Sequence, residues 1–289
     1  MVTIREARGE DFGRIYPLLS ELNPAISKEM WRQLFVDHSR VQNDRYGWML
    51  VDGDEVVGFL GTTMGERLVR GERLRLCNTT AWTVKKEYRA HSLSLYAKVL
   101  AEKGVEVTNL SPTHQVLRMM QKLGFSLMDK AERIILPVVT PAMLFDRSRV
   151  LTNPAEVERQ LDGESLRLFR DHQLPYNRHA LLLAPEGACY LMMNRSPKVL
   201  AARVRLPFAR VHHIGAPEIF NRHTEKVAAR IAAALGVAAM IVDERMLRGR
   251  IPWHSFARRG GPKQAAFRST KLTDQDIDGL YTEAVLLNF

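Results

Sequence analysis

Between Leu76 and Phe125 the residue pattern admits little besides strand and helix alternating around one short basic turn. Leu76-Cys77-Asn78-Thr79-Thr80-Ala81-Trp82-Thr83-Val84 is rich in β-branched and apolar residues and predicts a strand. Lys85-Lys86-Glu87-Tyr88-Arg89-Ala90-His91-Ser92 is the turn, and a helix from Ser92 to Lys103 follows it. A strand from Val105 to Leu110 and a helix from Thr113 to Leu123 close the unit on Leu123-Gly124-Phe125. Such a turn sets positive side chains and unpaired backbone N–H groups at a helix N-terminus, where phosphate binds readily. The expectation is a phosphate-bearing cofactor held by free main-chain amides after Tyr88.

The flanking sequence repeats one plan twice. A strand at Val2–Arg5 precedes a helix entered at Asp11, and a second helix is expected over Ser27–Asp37. Trp48–Val51 and Glu55–Thr63 flank Asp52-Gly53-Asp54, a strong hairpin signal. A strand from Glu132 to Val138 is expected to complete this half. The later half offers a hairpin around Pro185-Glu186-Gly187 and a strand at Ala209–Ile214. A helix from Glu218 to Leu235 follows, capped by Gly236, then a strand at Val237–Val242 and a final strand at Ala284–Phe289. The repeated order of elements points to an internal duplication. The expected boundaries are residues 1–140, a connecting segment over 141–163, and residues 164–289.

Composition excludes several classes. With 46% hydrophobic and 26% charged residues the chain reads as globular rather than disordered. No run reaches the ~18 apolar residues of a membrane span. The N-terminus enters a charged strand-like pattern with no apolar signal core, so a cytoplasmic location is expected. Cys77 and Cys189 lie in apolar runs and read as buried thiols, and no Cys or His pair has zinc spacing. Adjacent His212 and His213 should point to opposite sheet faces, and no metal site is expected. The net charge of +10 gathers partly in Arg67–Arg75 and in Arg245–Lys263, the latter holding Arg248, Arg250, Arg258, Arg259 and Lys263. Solvated faces explain most of it, and no nucleic-acid-reading motif accompanies it.

Residues 2–138 resemble the GNAT superfamily of acyl-CoA-dependent N-acyltransferases in element order. The family's cofactor turn, Arg/Gln-x-x-Gly-x-Gly/Ala, corresponds here to Arg89-Ala90-His91-Ser92-Leu93-Ser94. Its following Asn-x-x-Ala-x-x-x-Tyr-x-x-x-Gly-Phe helix corresponds to Thr113, Val116, Met120, Gly124 and Phe125. Ser92 and Ser94 replace glycines, which leaves close approach of the backbone but removes freedom at positive φ. Met120 replaces a tyrosine that often protonates the leaving thiolate, and a thioether cannot donate a proton. The second half reads as a degenerate copy: His213-Ile214-Gly215-Ala216-Pro217-Glu218 lacks the arginine and sets a carboxylate at the helix start.

The resemblance implies an α/β (α+β) fold of tandem GNAT-like mixed sheets, each flanked by helices. It implies acetyl-CoA or another acyl-CoA as cofactor, with pantetheine along Trp82, Thr83 and Val84. Phosphates would lie on Arg89, Ala90, His91, Ser92, Leu93 and Ser94. Acyl transfer to an amine needs a polarised carbonyl, a deprotonated amine and a proton for the thiolate. His114 at a helix mouth, Asn109 at a strand end and Glu66 at the end of the preceding strand are the candidate base and orienting groups. Each also has a plain structural role open to it, as an exposed helix-start residue, a turn cap or a solvated carboxylate. On the central strand, one of the pairs Asn78/Thr80 and Cys77/Thr79 must face the cleft. The twelve methionines, with Met119-Met120 and Met192-Met193, suit an acyl tunnel or an ordinary core equally. Trp253, His254 and Phe256 among arginines suit a cofactor-covering loop or a surface loop.

The leading reading is an N-acyltransferase acting on an amine or amino-sugar, with a small-molecule amine and a second copy of the chain as partners. A non-catalytic GNAT-like sensing or binding module is the alternative. Nucleic acid ranks last.

Overall fold

The computed structural model describes residues 1–199, 205–258 and 263–288; Arg259 and Phe289 lie outside the described residues. In the first half, β1 (Val2–Glu6), β2 (Gly47–Asp52), β3 (Glu55–Val69), β4 (Glu72–Val84) and β5 (Val105–Asn109) lie in that order. Gly53, at φ +57, makes the β2–β3 turn that Asp-Gly predicts. The helices α1 (Phe12–Leu22) and α2 (Lys28–Arg32) cover one face, with Phe12, Ile15, Leu19 and Trp31 buried against Met49 and Phe59. The helices α3 (Ser92–Leu100) and α4 (His114–Lys122) cover the other, with Leu95, Tyr96, Val99, Leu117 and Met120 inward. The expected Ser27–Asp37 helix is thus shorter, α2 passing into one turn of 3-10 helix at Gln33–Phe35.

β6 (Ser126–Lys130) and β7 (Glu132–Ile135) follow, separated by Ala131 alone. The second half contains β8 (Arg149–Leu151), β9 (Asn177–Ala184), β10 (Gly187–Val199), β11 (Arg205–Ile214), β12 (Ala239–Asp243), β13 (Ser255–Ala257) and β14 (Lys263–Arg268). Its helices are α5 (Pro154–Gln160), α6 (Gly163–Asp171), α7 (Pro217–Arg222), α8 (Thr224–Leu235) and α9 (Glu283–Leu286). The single helix expected from Glu218 to Leu235 is broken at His223 into α7 and α8, and Gly236 caps α8 in the left-handed region at φ +59.

The two seven-stranded sheets run β1-β2-β3-β4-β5-β14-β6 and β8-β9-β10-β11-β12-β7-β13. Each sheet therefore receives one strand from the opposite half, at the same place in the order. β7 does not complete the first half as expected; it pairs antiparallel with β12 and β13. β14 inserts antiparallel between β5 and β6. The reason is visible in the side chains of β7: Ile134 and Ile135 are both buried, one on each face of the second sheet. A strand with two apolar faces needs a covered interior position.

The final segment is a helix, α9, and not the strand expected over Ala284–Phe289. It belongs to a strap: Leu280, Tyr281 and Val285 pack beneath α5 and α6, while Leu286 and Leu287 enter the core under α1 and α2. The Tyr281 ring lies over Gly65 so closely that a Cβ there would come within 2.3 Å of it. The strap thus ties the two halves together. Cys77 and Cys189 are buried free thiols, and burial pushes both up to about 12.

Candidate active site

The parallel pairing of β4 with β5 runs from Arg75 opposite Val105 to Asn78 opposite Thr108 and stops there. Beyond it β4 turns away through a bulge against β3, with Ala81 at φ +48, a conformation a non-glycine residue adopts only under constraint. The β4 edge from Thr79 to Val84 consequently faces no strand among the described residues. Side chains bridge the head of this gap on the α3 side. Asn109 Nδ2 donates to Thr79 Oγ1 at 3.1 Å, and Thr79 Oγ1 lies 2.8 Å from the Tyr96 hydroxyl. Burial pushes the Tyr96 phenol far above its usual range, so it keeps its proton. Trp82 packs on Tyr96 at 5.2 Å, and its indole N–H is buried without a partner.

The basic turn is more closed than its sequence suggests. Lys86–His91 form a 3-10 helix that runs directly into α3. The Tyr88 N–H bonds Lys85 O at 2.9 Å, and the Ser92 N–H bonds Arg89 O. These two amides are not free, which corrects the expectation of an open amide cradle. Ser94 Oγ likewise donates to His91 O, inside the turn. What stays open is the start of α3 itself: His91 supplies no side-chain cap, and Arg89, Ala90, His91 and Leu93 are exposed. The exposed Arg89 and His91 side chains stand beside this helix end.

On the opposite face, Asn78 points away from α3. Its Nδ2 donates to Glu283 Oε2 at 2.7 Å, and its Oδ1 accepts from Thr108 Oγ1 at 3.3 Å. Ser111 Oγ bonds the other Glu283 oxygen. Asn78 is the member of the β4 pairs that faces between the halves, and Thr79 the one that faces α3. Glu283 is 3% exposed and makes no ion pair among the described residues. It borders a cavity of about 790 Å³ between the halves, walled by Leu110, His114, Lys130, Arg210, His212 and Thr282 among others. Most charged walls are already paired. Arg210 and Arg258 hold Glu132 down to about 2 against the cost of its burial, and Arg245 is bound to Asp243 at 2.7 Å. Partial burial works to raise Asp278, yet Arg67 and His213 keep it well below the carboxylate range.

The second half carries the same device in a filled form. β11 and β12 part after Arg210 opposite Ile241, and a bulge at β10–β11 leaves His212 as the extra residue. The strap occupies the opening, with the Gly279 N–H donating to His212 O at 2.9 Å. Burial pushes the His212 imidazole down to about 3, and its Nε2 lacks a partner. The Glu218 carboxylate sits in the first turn of α7, where the sequence placed it.

Asn109 and His114 are brought to one end of β5, and His114 stands on the cavity wall as an exposed helix-start residue. Glu66 is not near them. It pairs in register with Arg75, four residues or about 13 Å before the gap opens, and bonds Arg73 at 3.5 Å. Thr83 and Val84 pair with Phe59 and Gly58 on the β3 side. The basic clusters are largely neutralised: Arg67 by Asp278, Arg70 by Asp276 and Arg258 by Glu132. Trp253 donates to Glu225 at 2.7 Å on the outer surface, away from the cavity wall. Sequence reasoning missed Glu283, Lys130 and Tyr96. The residue signal for Glu283 was a lone carboxylate in the apolar run Leu280–Leu287.

No protein-family model matches this sequence, and no curated protein sequence matches it. Solved structures do. A probable N-acyltransferase from Enterococcus faecalis superposes with a TM-score of 0.59 at 12% identity, over 92% of this chain and 72% of that one. A putative acetyltransferase from Pyrococcus horikoshii matches at 0.55 and 16% identity, over 98% and 95%. N-myristoyltransferase from Saccharomyces cerevisiae, solved with myristoyl-CoA bound, matches at 0.50 and 9% identity, over 97% and 87%. Together with the two mixed sheets and their splayed central strands, these likenesses identify the architecture: the chain has a tandem GNAT-like fold.

Proposed function

We propose that the chain is an acyl-CoA-dependent N-acyltransferase acting on a small-molecule amine. The observation that carries the reading is the gap between β4 and β5 beyond Asn78 and Thr108, with a buried carboxylate, Glu283, fixed at its inner mouth. Acyl-CoA supplies the activated acyl thioester. Trp82, Thr83 and Val84 offer an unpaired strand edge and a free indole N–H to its amide-bearing arm. The start of α3, with Arg89, Ala90, His91, Ser92, Leu93 and Ser94, offers positive charge to its phosphates. Asn109 and Thr79 orient polar groups at the head of the gap. The Tyr96 hydroxyl, 2.8 Å from Thr79 Oγ1 at the head of the gap, is assigned the proton-donor place that Met120 cannot fill. On the acceptor side, Glu283 receives the proton of the attacking amine, and the His114 imidazole stands on the same wall. Glu66, bound to Arg73 at the far end of β4, is given no role in this scheme.

The test is thiol release from acetyl-CoA and longer acyl-CoAs in the presence of amines, with acyl-CoA affinity measured separately by calorimetry. Arg89→Glu is expected to weaken acyl-CoA binding by about tenfold through lost charge at the helix end. Glu283→Gln is expected to leave that affinity intact and to slow thiol release by about 100-fold or more. Absence of both binding heat and thermal shift with every acyl-CoA overturns the reading.

A second reading is favoured by the closed Lys86–His91 turn: a GNAT-like module that binds an acyl-CoA or a related ligand without turnover. Binding without any thiol release decides for it.

A further inference from the structure

We infer that the cavity between the halves receives a zwitterionic amine, a small molecule carrying an ammonium and a carboxylate of the amino-acid type. The inference rests on the acyltransferase reading for its use, but it stands on the walls of the cavity. Of the ionisable groups lining it, Glu132 is bound by Arg210 and Arg258, Asp243 by Arg245, and Asp278 by Arg67 and His213. Asp129 and Lys263 stand exposed at the rim, as does His114. Two charges remain inside. Glu283 is buried and bonded only to the neutral Asn78 and Ser111. Lys130 is partly buried, and its Nζ has one hydrogen bond, to Leu110 O at 3.3 Å; burial pushes its ammonium down, and the Asp243 and Glu283 carboxylates oppose this only from beyond ion-pair distance.

A buried charge without a counter-ion is costly, and two of opposite sign on one cavity are relieved together by one ligand of complementary charges. Glu283, next to the gap, takes the ammonium, which is the nitrogen to be acylated. Lys130, on the same cavity at the end of β6, takes the carboxylate. A bare amine leaves Lys130 unpaired, and an N-acylated acid leaves Glu283 unpaired, so the pair selects for molecules that carry both groups.

Thermal shift and calorimetry with the individual L-amino acids, their amides and their N-acetyl derivatives test this in the intact chain. At least one free amino acid is expected to bind, with its amide and N-acetyl counterparts at least about tenfold weaker, the effect of one charged hydrogen bond. Lys130→Met is expected to erase the preference for the free acid over the amide. Equal binding of amides and free acids to the unaltered protein, or no binding by any amino acid, overturns the inference; neither outcome depends on a variant folding. The two readings separate cleanly. Thiol release with amino-acid amides as readily as with free acids sinks this inference and leaves the acyltransferase standing. Amino-acid binding without thiol release with any acyl-CoA does the reverse.

Discussion

His172 is held by two neutral-form contacts: Nδ1 donates to Leu168 O at 2.8 Å, and Nε2 accepts from the Tyr281 N–H at 3.3 Å. A proton on Nε2 would turn that acceptor into a second donor facing an N–H. Burial pushes His172 and His212 down to about 3 and His179 to about 4. In the unfolded chain each takes up a proton near pH 6.5. Below that pH the unfolded state binds more protons than the native one, so stability falls on acidification by about 1.4 kcal/mol per pH unit for each histidine until the folded values are reached. His223 acts in the opposite sense. Burial disfavours its charge, but Asp146 and Glu186 prevail and raise it, so its contribution is complete below its unfolded value and is lost as pH rises through the folded one. The net expectation is a melting temperature that drops clearly between pH 7 and pH 5. A melting temperature unchanged over that interval contradicts it. The same residues mark a limit of the sequence. Asn109 could be picked out because it ends a readable strand and His114 because it opens the next helix, whereas His172 and Glu283 gain their meaning from partners more than a hundred positions away.

Element boundaries followed the local signals well where those signals were local. The Asp-Gly turn, the Gly236 cap and the strand over Leu76–Val84 all lie where residue pattern places them. The place of the turn after that strand was also legible in the residues. Strand partnership was not, because Ile134-Ile135 reads as an interior strand without saying of which sheet. Its measurable consequence is that Ile135→Ala, in the first half of the chain, should open a cavity beneath α7 and α8 of the second sheet. Ile135 is fully buried, opposite Met240 and in one core cluster with Phe220 and Val227, so the cost is expected at about 3 kcal/mol in urea unfolding. A loss below about 1 kcal/mol would place the strand elsewhere. The closed turn at Lys86–His91 is the other feature pattern alone could not give. Serines where glycines are expected allow the chain to continue as helix, and the structure takes that option.

For the molecule as a whole, the reciprocal exchange of β7 and β14 makes each half incomplete by itself. Residues 1–140 alone would leave β5 and β6 without the strand between them, two bare edges open to wrong pairing. That fragment is expected to aggregate or stay unfolded, and to become soluble when residues 141–289 are supplied in the same cell. Circular dichroism and gel filtration of the fragment, alone and co-expressed, check this; an independently folded 1–140 would refute it. In a growing polypeptide the exchange imposes a timetable. The earliest sheet to emerge from the ribosome waits for its sixth member until translation has passed Arg268, so most of the nascent chain must be kept from aggregation while its partner strand is still unmade.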